Sequence, residues 1–208
     1  MSMPVKVAVF YQGETELVCR LALAAATGVE DADGEVRLRS LGRPVPSATI
    51  YARPEFVRVL RALERTPDAS PADLAWADAA LFGTATPYGM TLDPLTRFID
   101  ATVPLWRVGT LAEKVYGGFT AATAAHGRPG RRLVSLTDVF HHWGGIIIPL
   151  EGRDPIGGQP GERDGISPLA AHRSPVEAEL AAARRQGRRA TEIVRALKAR
   201  HVRFADVA

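Results

Sequence analysis

The sequence predicts an α/β protein: a doubly wound, five-stranded parallel sheet in the order 2-1-3-4-5 with helices on both faces. Three observations carry this. Short apolar runs alternate with helix-like segments along the whole chain, the pattern of βα units whose crossovers cover both faces of a sheet. Two of those runs, Val5 to Phe10 and Ile146 to Leu150, are nearly unbroken in apolar character and rich in β-branched residues, as strands buried on both faces are. The third observation is the stretch from Asp78 to Met90. It passes from Ala79-Ala80-Leu81-Phe82 into Gly83-Thr84-Ala85-Thr86-Pro87-Tyr88-Gly89, just ahead of the helix-like Leu92 to Ile99. A buried parallel strand delivers a ligand loop at its carboxyl end in this way, where neighbouring connections diverge to opposite faces. A plain strand-to-helix turn with no guest is the alternative for the same residues.

The elements follow in order. Val5 to Phe10 is the central first strand, Tyr11 to Thr15 the loop after it, and Glu16 to Thr27 an Ala/Leu-rich helix stopped by Gly28. Glu35 to Arg39 alternates polar and apolar, which predicts an edge strand with one wet face. Ser40 to Arg53, with Gly42, Pro44 and Pro46, reads as a long loop, and such loops cover a site or meet a partner. Pro54 opens a helix with Phe56, Val57, Leu60 and Leu63 on one face, and Ser70-Pro71-Ala72-Asp73 is a capped turn. Pro94 sits in the first turn of the next helix. Val115 to Ala122 is the fourth strand, His126 to Gly130 a turn, and Leu133 to Trp143 a helix closed by Gly144-Gly145. Ile146 to Leu150 is the fifth strand. Glu151 to Ser174 carries too many glycines and prolines for regular structure, and Ser174-Pro175-Val176-Glu177 starts the last long helix, which runs to about Ala199.

Composition narrows the function. A chain of 208 residues has room for one α/β domain, taken as residues 1–208, with a full core. No apolar run is long enough to cross a bilayer, and Met1-Ser2-Met3-Pro4 leads directly into a strand without a signal-like segment, so the expected location is the cytoplasm and no membrane partner is expected. The net charge of +3 accompanies no nucleic-acid module, and Arg184 to Arg189 reads as a solvated helix face. The single cysteine, Cys19, lies among Leu17, Val18 and Leu21 and reads as a buried helix residue, with no thiolate metal cluster or intrachain disulfide available.

Several separated blocks together resemble a known family. Phe82 to Gly89, Phe98-Ile99-Asp100, Leu105-Trp106, Gly109-Thr110-Leu111, Lys114, His142 to Pro149, and the final helix with Glu177, Glu179, Leu180, Ala183, Arg184 and Gly187 are similar to the WrbA-type flavoproteins. The resemblance covers nearly the whole chain. It implies a flavodoxin-like fold, FMN as cofactor, NAD(P)H as co-substrate, a quinone or related aromatic acceptor, and a homotetramer, with a homodimer the least assembly expected. It gives Thr84, Ala85, Thr86, Pro87, Tyr88 and Gly89 to the edge of the isoalloxazine, and Gly13 and Thr15 to the phosphate. Thr120 falls in the third flavin loop, and Trp106 matches a tryptophan that walls the site from a neighbouring subunit. His142 or His126 would donate to the acceptor, with Trp143 flanking it.

Two loops depart from the family pattern. The first, Tyr11-Gln12-Gly13-Glu14-Thr15, is short and brings the Glu14 carboxylate towards a phosphate dianion. In the third, Thr120-Ala121-Ala122-Thr123-Ala124-Ala125-His126-Gly127 replaces a glycine-rich run, and Trp143 stands where a second histidine is common. The alternative function is therefore a repurposed cleft, acting on an aromatic or quinone-like metabolite without tightly bound flavin.

Overall fold

A computed structural model describes residues 4–12, 16–42, 54–86, 93–122, 134–148 and 177–199. The strands are β1 (Val5–Gln12), β2 (Gly34–Gly42), β3 (Ala79–Thr86), β4 (Val115–Ala122) and β5 (Ile146–Ile147). The helices are α1 (Glu16–Glu30), α2 (Pro54–Leu63), α3 (Pro71–Trp76), α4 (Asp93–Ala101), α5 (Val103–Arg107), α6 (Val134–His142) and α7 (Glu177–Ala199). All five strands are parallel, in the order β2-β1-β3-β4-β5, as the sequence predicts. Helix α5 is not announced by any periodicity.

Alternation along the strands divides the core. Val5, Val7, Val9 and Tyr11 of β1, with Leu81 and Phe119, face α1 and α7, where they meet Leu17, Val18, Leu21, Ala183 and Val194. Ala8, Phe10, Ala80, Phe82 and Tyr116 face the other way, against Leu74, Leu95, Phe98, Phe140 and Trp143. That second layer is an aromatic cluster: Phe10 stacks on Phe82 at 4.9 Å, and Tyr116 on Phe140 at 5.0 Å. Such pairs contribute about 0.5–1.5 kcal/mol each beyond the area they bury. The Tyr116 hydroxyl, buried with them, donates to the Leu111 carbonyl at 2.8 Å.

Four boundaries differ from the sequence reading, each for a packing reason. β1 continues through Tyr11 and Gln12, because their backbone pairs with Ser40 and Gly42 of β2. Helix α1 does not stop at Gly28. A Cβ there would lie 1.8 Å from the Arg184 carbonyl oxygen of α7, and one at Gly187 would lie 2.0 Å from the Ala25 carbonyl oxygen. The glycine is an interhelical contact point rather than a terminator. β2 absorbs Ser40, Leu41 and Gly42 from the expected loop. β5 pairs over Ile146 and Ile147, and the Ile148 N–H donates to the Tyr116 carbonyl, while Pro149 and Leu150 lie outside the described residues.

Other readings stand. Gly144 has φ 74° and closes α6, with its N–H on the His141 carbonyl and that of Gly145 on the Phe140 carbonyl. Cys19 is fully buried, and desolvation, reinforced by Glu16, pushes its thiol up to about 12, so it is a packing residue. The stretch from Arg184 to Arg189 is, by contrast, only in part the solvated face expected: Arg184 and Arg188 are exposed and pair with Asp31, whereas Gln186 and Gly187 are buried.

Asp73 fastens the edge strand to α3. Its carboxylate accepts from the Ser70 N–H and hydroxyl at 3.2 and 2.9 Å, and from Arg37 and Arg39 at 3.2 and 2.8 Å. Burial pushes its pKa up, but the Ser70 and Arg39 contacts outweigh that and hold it below the usual carboxylate range. A depressed carboxyl stabilises the fold above its unfolded value of about 3.9, and that stabilisation is lost as pH falls through the folded value. Asp73→Asn should therefore cost about 2–4 kcal/mol at neutral pH. Urea melts at pH 7 and below pH 4 check this: the difference between variant and wild type should shrink in acid, and a constant difference would refute the assignment.

Candidate functional site at the carboxyl edge

In a parallel sheet every strand ends on the same side, and the register shows which residues reach that side together. Gln12 is opposite Gly42, and Thr84, Ala85 and Thr86 are opposite Thr120, Ala121 and Ala122. The order β2-β1-β3 places the switch point between β1 and β3, where connections leave for opposite faces. Thr84 and Gln12 meet at that point. Both are almost fully buried, and the Thr84 hydroxyl donates to the Gln12 carboxamide oxygen over 3.4 Å. At the first turn of α1, Glu16 is 3% exposed and lies 3.4 Å from Arg20. Sequence reasoning kept Thr84 but left Gln12 in a loop and gave Glu16 no role; the β-pairing of Gln12 is the signal it lacked.

Of the other expected site residues, Ala85, Thr86 and Thr120 lie on these adjacent strand ends. Gly13, Thr15, Pro87, Tyr88, Gly89 and His126 lie outside the described residues.

Trp106, His142 and Trp143 are at the opposite edge. The Glu113 N–H donates to the Gly144 carbonyl and the Ile146 N–H to the Lys114 carbonyl, so the end of α6 sits beside the start of β4. β4 runs from Val115 to Ala122, and at about 3.3 Å per residue roughly 23 Å separates its two ends. Topology requires this, because α6 returns from the carboxyl edge to begin β5, and His142 precedes Ile146 by one short turn. Trp106 joins His142 there: the rings stack at 4.7 Å and 27°, and the indole N–H donates to the His142 carbonyl at 3.1 Å. Trp106 remains 38% exposed. Trp143 does not flank an open site. It is 5% exposed and packed on Phe82, Tyr116 and Phe140 within the aromatic layer, which corrects the expectation for it.

The amino edge also holds a charge cluster. The Asp78 carboxylate accepts from the Lys6 N–H at 2.8 Å and from Lys198 at 2.6 Å. The Lys114 ammonium donates to the Ala75 and Ala77 carbonyls at the end of α3. Burial pushes Lys114 below its usual range, opposed by Asp78 and assisted by Lys198. These contacts pin the amino ends of β1, β3 and β4 to α3 and α7.

An open groove of about 500 Å³ runs beside the end of β2, lined by Ser40, Leu41, Gly42, Pro94, Arg97 and Phe98 among others. Its Phe98 wall packs on Phe10 of β1 and Phe82 of β3, at 4.9 and 6.2 Å. Among the described residues no group of three or more His, Cys, Asp or Glu side chains is placed to hold a metal, and no helix is long and apolar enough to cross a membrane.

No protein-family model matches the chain. The chain is 31% identical over 197 residues to a protein named NAD(P)H dehydrogenase (quinone) from Deinococcus radiodurans, covering 93% of this chain and 97% of that one. It is 34% identical over 197 residues to one of the same name from Brucella anthropi, covering 91% and 96%. Among solved structures it resembles a flavodoxin, WrbA-like protein from Agrobacterium tumefaciens, with a TM-score of 0.64, 22% identity, and 93% and 99% of the two chains covered. An archaeal flavodoxin matches with a TM-score of 0.61 at 19% identity, over 92% and 99%. The structural likenesses establish the flavodoxin-like fold, and identity above 30% along nearly the full length of both relatives carries the rest: this chain belongs to the NAD(P)H dehydrogenase (quinone) family.

Proposed function

We propose that this protein is an NAD(P)H:quinone oxidoreductase that reduces a quinone or related aromatic acceptor by two electrons, with a flavin at the carboxyl edge, in a cytoplasmic homo-oligomer. The observation that carries the reading is the alignment of Thr84-Ala85-Thr86 with Thr120-Ala121-Ala122 beside the β1/β3 switch, in a chain of this family. Small side chains at strand ends permit the close backbone approach that the edge of a flat tricycle needs. The ring end of the cleft thus fits the cofactor. A bound flavin supplies the relay between nicotinamide and quinone.

The residues of this chain have separable tasks. Thr84 to Gly89 address the ring edge, and the buried Thr84–Gln12 contact holds the strand ends in register behind it. Trp106 and His142 are too far along the sheet to serve the cleft of their own subunit. Together, half-exposed and stacked, they form an aromatic wall that only a second copy can use. This favours a tetramer or at least a dimer in which the amino edge of one subunit covers the carboxyl edge of another, with His142, or His126 from the cleft's own subunit, donating to the acceptor oxygen.

Initial-rate kinetics test the proposal. Protein supplemented with FMN should oxidise NAD(P)H only when a quinone is present. The double-reciprocal lines should be parallel, because donor and acceptor use the same space in turn. Intersecting lines, or no quinone-dependent turnover with a flavin-loaded protein, would overturn it.

A further inference from the structure

In a doubly wound fold the phosphate of a bound nucleotide goes to the amino end of the helix after β1, where free N–H groups and the positive end of the helix dipole receive it. In this chain that end is flanked by two buried polar side chains, Gln12 and Glu16. Only residues 13–15 lie between Gln12, the last of β1, and Glu16, the first of α1. The Gln12 carboxamide is buried and engaged with Thr84, and the Glu16 side chain is tucked into the first turn of α1 with Arg20 as its ion-pair partner. Glu14 adds a second carboxylate to the connection, and no Lys or Arg stands between Tyr11 and Arg20. A buried carboxylate in a first turn complements the dipole that would otherwise draw a phosphate, and it repels a dianion.

We infer, building on the flavin reading above, that this protein recognises its flavin through the ring system and gains little from the 5′-phosphate, so that riboflavin and FMN are held with similar affinity. The phosphate end does not fit FMN as the ring end does. Even one charge-assisted hydrogen bond to a phosphate would favour FMN by about tenfold or more, so the comparison is decisive.

The experiment is a titration of flavin-free full-length protein with FMN and, separately, riboflavin at low salt, read by quenching of flavin fluorescence. The expected result is two dissociation constants within about threefold of each other. In Glu16→Gln, the removal of one like charge should tighten FMN by about threefold to tenfold and leave riboflavin unchanged. Wild-type protein that prefers FMN by about thirtyfold or more would overturn the inference while leaving the proposed function intact. Binding of neither flavin would overturn both. If Glu16→Gln folds, by circular dichroism, and FMN and riboflavin shift equally, Glu16 is not the discriminating charge and the inference fails on that count.

Discussion

Gly187→Val lowers the thermal midpoint by roughly 6–12 °C or prevents folding. The added Cβ would stand 2.0 Å from the Ala25 carbonyl oxygen and 3.1 Å from the Val29 nitrogen. Both obstacles are backbone of α1, so no rotamer change relieves the contact and the two helices must separate. Separation strips the layer formed by Leu17, Val18, Leu21, Ala183 and Val194. Overpacking of a close-packed interior costs about 1–3 kcal/mol, and more where neither side yields. At about 2–4 °C per kcal/mol for a chain of this size, the upper end of that range gives the stated shift. Gly42→Ala is the control, since its Cβ would meet only the Pro94 ring, at 3.3 Å. Differential scanning calorimetry on the two variants decides the matter: equal midpoints would show that α1 and α7 are not in backbone contact.

Trp106→Ala should reduce kcat/KM for the quinone by on the order of tenfold while leaving flavin content and folding unchanged. The side chain is 38% exposed, lies at the end of the sheet remote from Thr86, and touches chiefly His142. Truncating it removes a stacking surface without opening a core cavity. On the proposed reading the loss should appear mainly in the KM for the quinone, with flavin retention unchanged.

The decisive measurement is complementation. Gly89→Val removes the ring-edge loop from one kind of subunit, and Trp106→Ala removes the wall from the other. Mixed oligomers reassembled from the two variants should turn over a quinone at low concentration faster than the sum of the two variants measured separately, since some interfaces then join an intact cleft to an intact wall. Absence of recovery in mixtures shown to exchange subunits would place Trp106 outside the site, as would a protein that sediments only as a monomer at micromolar concentration.

The elements of the fold were readable from local signals because those signals are local in origin. The apolar runs at Val5, Leu81 and Ile146, the Ser70–Asp73 capping pattern and the Gly144 helix stop each draw on contacts within a few residues. The burial of Cys19 followed from its neighbours in the same helix. The position of Thr84 to Thr86 was legible, because local pattern marks a strand end. The site was misread where a residue's burial depends on the direction of its helix, as with Trp143.

By itself the sequence determined the parallel α/β architecture, the strand order, and the place of Thr84 to Thr86 at a carboxyl strand end. These follow from periodicity, handedness and chain connectivity, which a linear pattern records. Only the tertiary structure decided that Gly28 is a crossing point, that Trp143 is core, and that Trp106 and His142 form one exposed pair at the amino edge. It also decided that Gln12 and Glu16 are buried, one on each side of the connection from β1 to α1. Each of these depends on what a distant segment brings to within a few ångströms, and local pattern carries no record of such distances.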